Sequence, residues 1–231
     1  MQEEYKKLMN YNLKMSKKVQ IAPSILSADF GKLSAEIAEI EPYSDRIHFD
    51  VMDGNFVPNI SFGAPILKWV QTKLPIDVHL MIARPWLYLE DFAKSGGDLI
   101  IIHSEACAKS GKFTMANVLK MIKKLGVKTG VSIKPKTPVS VLKNVLGLLD
   151  QVLIMTVEPG FGGQSFMPKM VGKIGQLRKM GFKGDIAIDG GINAETGKIC
   201  AEAGADILIA GNYIFGAKDR VKAAKSLTFF S

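Results

Sequence analysis

The sequence predicts an α/β protein, a single (β/α)8 barrel, on three observations. Short runs rich in Ile, Val and Leu alternate with amphipathic segments of about a dozen residues, the pattern of βα units feeding a parallel sheet. Eight such runs follow an N-terminal extension, at about 27 residues per unit, which is short for a closed barrel but sufficient. The chain also echoes itself. Residues 124–133 parallel residues 179–188, each a helix end, a glycine and a strand, and residues 95–101 resemble residues 203–209. An open doubly wound sheet is the structural alternative.

Taken in order, strands are expected over Gln20 to Leu26, Arg46 to Met52, Ile76 to Ile82, Leu99 to Glu105, Lys128 to Lys134, Gln151 to Glu158, Asp185 to Gly190 and Asp206 to Gly211. Helical patterns fall between and after them, near 30–41, 63–74, 85–95, 113–125, 138–148, 167–180, 194–203 and 217–227. Gly126, Gly181 and Gly204 stand where such helices should stop, as expected of a residue that turns left-handed after the last turn. No linker or break in composition divides residues 19–231, which read as one catalytic domain after an extension over residues 1–18.

A chain of 231 residues can bury a sizeable core, and 47% hydrophobic with 23% charged residues argues against long disorder. No run of eighteen apolar residues occurs, so no membrane span is expected. The N-terminus lacks an apolar stretch with a cleavage site, so no secretory signal is expected either. Cys107 and Cys200 lie far apart without metal-type spacing and read as reduced thiols of a cytoplasmic protein. Part of the +8 formal charge sits in residues 1–18, where Lys6, Lys7, Lys14, Lys17 and Lys18 outnumber Glu3 and Glu4. The other lysines scatter over expected helix surfaces, which argues against a nucleic-acid-binding stripe and suits a mild attraction for anionic substrates. Met15 opens Met-Ser-Lys-Lys-Val-Gln just before the first strand, so what precedes it reads as an appended helix, a frayed extension or an upstream translation start.

In such a barrel, function collects at the C-terminal ends of the strands and in the loops that follow. Ser24 falls near the end of the first strand, His48 and Asp50 on the second, His79 on the third, His103 and Glu105 on the fourth, and Asp189 at the end of the seventh. Alternation places His48, Asp50 and Met52 on one side of their strand and Ile47, Phe49 and Val51 on the other. An imidazole and a carboxylate so placed can reach one divalent cation, which takes nitrogen and oxygen ligands at about 2.0 to 2.2 Å. Alone, a His-x-Asp pair is as well explained by surface hydrogen bonding, and one histidine by a bonded core position. All three histidines of the chain fall on strands beside carboxylates. That pattern points to a metal site of His48, Asp50, His79 and Asp189, with His103 and Glu105 orienting the ligands from behind. Met52, Met81 and Met155 also end strands; core filling is the plain reading, and roofing the site against water is the functional one.

Glycine-rich turns follow the sixth, seventh and eighth strands: Pro159-Gly160-Phe161-Gly162-Gly163-Gln164, Asp189-Gly190-Gly191 and Ala210-Gly211-Asn212. With no side chains in the way, successive backbone N–H groups can converge on an anion, and a short helix starting near Asn212 adds its positive end. One such turn merely reverses the chain. Three in this quarter of the barrel point to a phosphorylated substrate.

Ala22-Pro23-Ser24-Ile25-Leu26-Ser27-Ala28-Asp29-Phe30, His48-x-Asp50-x-Met52-Asp53-Gly54, His79-Leu80-Met81, Val157 to Gln164 and Asp189-Gly190-Gly191 together resemble the ribulose-phosphate 3-epimerase family. The resemblance runs from about residue 19 to the C-terminus. It implies a TIM barrel, one divalent metal ion per subunit, and interconversion of D-ribulose 5-phosphate with D-xylulose 5-phosphate in the pentose phosphate pathway. It places the metal ligands on His48, Asp50, His79 and Asp189, the two acid/base carboxylates on Asp50 and Asp189, and further substrate contacts on Ser24 and His79. The implied phosphate contacts are Gly160, Phe161, Gly162, Gly163, Gly190, Gly191, Gly211 and Asn212. Many members carry Ser where this chain has Asn212, so a backbone contact carries over and a side-chain contact does not. Zn2+ is the first choice of ion, with Fe2+, Mn2+ and Co2+ acceptable to the same ligands. A homo-oligomer is implied, dimer or hexamer.

Inverting a carbon beside a carbonyl means removing its proton from one face and returning a proton to the other, which takes two carboxyl groups in opposite protonation states. Asp50 and Asp189, from the second and seventh strands, are placed to flank a flat cis-enediolate. A 3-epimerase for a longer phosphosugar such as D-allulose 6-phosphate is the nearest rival, and a noncatalytic sugar-phosphate-binding barrel is the rival of a different class. A related decarboxylase would need an Asp-x-Lys-x-x-Asp array, and the residue two after Asp50 is Met52.

Overall fold

The computed structural model describes residues 18–228. The extension expected over residues 1–18, with Met15, lies outside the described residues apart from Lys18. Eight apolar runs form strands β1 (Gln20–Pro23), β2 (Ile47–Met52), β3 (Ile76–Met81), β4 (Leu99–His103), β5 (Lys128–Ile133), β6 (Gln151–Met155), β7 (Asp185–Asp189) and β8 (Ile207–Ala210). They pair parallel in the order β1-β8-β7-β6-β5-β4-β3-β2. The ring shuts between β1 and β2, through a bridge of Ser24 with His48 and through the amides of Asp45 and Arg46, which both donate to the Ile21 carbonyl. The architecture is therefore the barrel and not the open sheet.

The α-helices among the described residues are α1 (Leu33–Ile40), α2 (Ala64–Leu67), α3 (Leu89–Lys94), α4 (Met115–Lys124), α5 (Gly172–Lys179), α6 (Ala194–Glu202), α7 (Asn212–Phe215) and α8 (Arg220–Lys225). They are shorter than the sequence patterns suggest. The helix expected near 138–148 is absent, replaced by 3-10 turns at Val139–Leu142 and Leu146–Leu148. Three β-branched valines (139, 141 and 145) and Gly147 disfavour an α-helix there, yet Val139 and Leu142 still reach the core. The pattern near 63–74 contracts to α2. Pro75 restricts Leu74, and the Thr72 hydroxyl donates to Glu41 while accepting from the Leu74 amide, so local bonds replace helical ones. Strands β1 and β4 stop short of Leu26 and Glu105 because the chain turns into 3-10 turns at Ile25–Ser27 and Ser104–Ala106. Those turns lift Ser24 and Glu105 towards the mouth of the barrel.

Alternation along β2 sorts the core. Ile47, Phe49 and Val51 face the helices and join the large apolar layer between sheet and helices, each worth about 1.5 to 3 kcal/mol of burial. Inside the ring a second layer, with Leu99, Ile101, Leu153, Ala187, Ile207 and Ile209, supports the polar residues above it. His48 and Asp50 are thus held on a packed floor.

Candidate active site

Four side chains that the chain separates by more than half its length meet at the top of this floor. His48 and Asp50 come from β2, His79 from β3 and Asp189 from the end of β7, and one donor atom of each lies within 4.8 Å of all the others. Asp50 Oδ1 stands 3.3 Å from His48 Nε2 and 2.9 Å from His79 Nδ1, the two nitrogens are 3.3 Å apart, and Asp189 Oδ2 lies 4.0 Å from His79 Nδ1. Ligands held tetrahedrally at about 2.0 to 2.2 Å from one ion are roughly 3.3 to 3.6 Å from one another, so the spacing fits a divalent cation. The donor set, two imidazoles and two carboxylates, fits as well. Ser24 Oγ donates to the other oxygen of Asp50, which fixes that carboxylate from above.

Behind the cluster His79 Nε2 lies 2.9 Å from His103 Nε2, and His103 Nδ1 lies 3.3 Å from Glu105 Oε2. All three imidazoles are fully buried. His103 and Glu105 therefore stand where the sequence places them, one ring removed from the cluster.

Above the cluster opens a cleft lined by Ser24, Asp50, Met52, Met81, Met155, Asp189 and the turns at 159–164, 190–192 and 211–213. Every residue assigned to substrate from the sequence borders it except His79, which lies beneath, in the cluster. Met52 and Met81 pack with Val57, Leu26 and Phe56 into an apolar roof. Met155 borders the cleft too, but it packs with the interior layer of the barrel rather than with that roof. Gly190 and Gly191 adopt φ of 121° and 65°, and a Cβ on either would stand 2.6 Å from Val157 or 2.7 Å from the Phe166 amide nitrogen. Only glycine lets this backbone pass so close to Val157 and Phe166.

Three contacts that shape the rim have no counterpart in the sequence reading. Ser27 Oγ donates to Asn212 Oδ1 (2.8 Å), Asn59 Nδ2 donates to the Gly160 carbonyl (2.7 Å), and Gln164 Nε2 donates to the carbonyls of Glu158 and Phe161. Gln164 stands inside the glycine-rich turn and was discoverable there. Ser27 and Asn59 carry no periodic or spacing signal.

The sequence model of the ribulose-phosphate 3 epimerase family matches residues 20–215. The chain belongs to this family. Ribulose-phosphate 3-epimerase of Bacillus subtilis is 46% identical over 90% of this chain and 98% of its own length. The chloroplastic ribulose-5-phosphate-3-epimerase of Arabidopsis thaliana is 44% identical over 90% of this chain and 75% of its own. Among solved structures, a 3-hexulose-6-phosphate synthase superposes with a TM-score of 0.69 at 17% identity, covering 91% of this chain and 98% of that one, a likeness of fold alone. As a member of the epimerase family the chain is an isomerase that inverts a stereocentre.

The two aspartates of this epimerase-family site differ in protonation. Burial and the charge of Asp50 push Asp189 up to about 7. Burial would raise Asp50 too, but the charge and hydrogen bond of His48 hold it well below the usual carboxylate range. Burial lowers His48, yet Asp50 and Asp189 together carry it up to about 9, so the cluster favours a positive charge at its centre.

Proposed function

We propose that the chain interconverts D-ribulose 5-phosphate and D-xylulose 5-phosphate by moving the C3 proton through Asp50 and Asp189. The observation that carries this reading is the meeting of those two aspartates, from β2 and β7, beside two imidazoles beneath a cleft ringed by glycine turns. Asp50, ionised, takes the proton from one face of C3, and Asp189, protonated, gives its own to the opposite face. The two carboxyl groups have then exchanged states, ready for the reverse reaction. Ser24 holds Asp50 by one oxygen, and Met52 and Met81 keep water from the cis-enediolate. Backbone amides of Gly160 to Gly163, Gly190, Gly191, Gly211 and Asn212 hold the phosphate, remote from the reacting carbon, so that binding orients C3.

His48, Asp50, His79 and Asp189 would hold one divalent cation, Zn2+ in first place. When bound, the cation supplies Lewis-acid stabilisation of the oxygens that become negative as C3 loses its proton. Residues 19–231 act as one catalytic domain, and a chain begun at Lys18 that lost activity would refute this. The exposed apolar side chains Ile66 of α2 and Trp69 just after it, with Leu87 and Tyr88 before α3, support a homo-oligomer. Light scattering on Trp69→Arg, with no fall in mass, would count against that surface. The free thiols Cys107 and Cys200 support a cytoplasmic setting, and among the described residues no helix is long and apolar enough to cross a membrane. Disulfide-linked Cys107 or Cys200 in protein taken from cells would contradict it.

A coupled assay with D-ribulose 5-phosphate and D-allulose 6-phosphate in parallel tests the reaction. Turnover of the pentulose should vanish on chelation and return with added Zn2+, and Asp50→Asn or Asp189→Asn should each lose at least about 10²- to 10⁴-fold. Near-normal turnover in either variant excludes the two-carboxylate scheme. Faster turnover of the hexulose phosphate reassigns the substrate.

A further inference from the structure

We infer that Glu105 is a positioning residue that sets, through His103, which nitrogen of His79 is free to bind a cation. The inference rests on the metal reading above and concerns two residues outside the ligand set.

The relay begins at a carboxylate whose role is fixed on every side. Glu105 Oε1 accepts from the Lys134 amide (2.8 Å) and from the Thr137 hydroxyl, and Glu105 Oε2 faces His103 Nδ1 at 3.3 Å. A carboxylate only accepts, so the facing nitrogen of His103 must carry its proton. A second positive charge on His103 is disfavoured, because the Lys134 ammonium stands 3.9 Å above the Phe56 ring and that ring lies 4.8 Å from His103. With one proton, on Nδ1, His103 presents a bare Nε2. His79 Nε2 faces it at 2.9 Å, and one nitrogen of such a pair must donate, so His79 carries its proton on Nε2.

His79 Nδ1 is then a lone pair. It points at Asp50 Oδ1 (2.9 Å), His48 Nε2 (3.3 Å) and Asp189 Oδ2 (4.0 Å). A lone pair among carboxylate oxygens is repelled unless a cation lies between them. The tautomer that Glu105 dictates is therefore the one a cation needs. The segment that holds Glu105 is itself clamped: Lys173 Nζ donates to the carbonyls of Lys134, Pro135 and Thr137 at 3.0, 2.9 and 2.8 Å.

Glu105→Gln tests the relay with little change of shape. The Lys134 amide and the Thr137 hydroxyl require an oxygen, so the new NH2 turns towards His103 and reverses both tautomers. Competition of the purified protein with a chromophoric chelator for Zn2+ should show a loss of about 10- to 100-fold in affinity. Nitrogen-resolved NMR of histidine-labelled, Zn2+-loaded wild-type protein should place the protons on His103 Nδ1 and His79 Nε2, and this measurement needs no variant to fold. A folded Glu105→Gln protein with wild-type Zn2+ affinity overturns the relay while leaving the ligand set intact; a proton on His79 Nδ1 in the Zn2+-loaded wild type overturns the relay and takes His79 out of the ligand set. A wild-type chain that takes up no Zn2+ overturns the metal reading itself.

Discussion

At Glu105 three donors converge on one carboxylate, and they set how the protein answers to acid. Burial opposes its ionisation, but the bonds from His103, Thr137 and the Lys134 amide hold it down at about 2, against an ordinary value of 4.5. A group depressed in the folded state stabilises it above the unfolded value, and that stability is lost as pH falls through the folded one. Glu105 is partly exposed, so solvent screening holds its contribution near neutrality to about 1 kcal/mol. Thermal midpoints of wild type and Glu105→Gln should differ most above pH 4.5 and converge as the pH falls towards 2. A constant difference across that range would show that the carboxylate charge is not the cause. At this scale the clustered residues were legible because strand alternation alone assigns His48 and Asp50 to one side of β2, and the terminal placement of Asp189 assigns it to the mouth. Ser27 was not, since its partner Asn212 lies 185 residues away and only the pairing of β1 with β8 brings the two together.

Among the elements, the strands were read more faithfully than the helices. A buried parallel strand is a continuous apolar run, which few other local structures imitate; the fifth unit shows the contrast, since its buried valine and leucine positions suit a helix while its backbone makes 3-10 turns. The segment after β5 owes its shape to side chains instead. Lys173, from the first turn of α5, is lowered by burial and spends its three protons on the carbonyls of residues 134, 135 and 137. Lys173→Met should leave those carbonyls unmet, cost about 1 to 3 kcal/mol, and speed hydrogen exchange at the Lys134 amide. Unchanged exchange there would mean that Glu105 alone holds the segment.

For the molecule as a whole, a site made by β2, β3 and β7 exists only when the ring is complete, so a bound cation stabilises the closed barrel and not the unfolded chain. Zn2+ at a hundredfold excess over its Kd should add about 2.7 kcal/mol and raise the thermal midpoint. The rise should disappear in Asp189→Asn if that carboxylate is a ligand; the same rise in the variant would place the ion elsewhere. The seam that shuts the ring gives this coupling a sharper form. Ser24 and His48, joined where β1 meets β2, are at once the clasp of the barrel and members of the candidate site. Folding intermediates with that clasp undone hold no half-competent centre, so catalysis should emerge during refolding only with the last cooperative step.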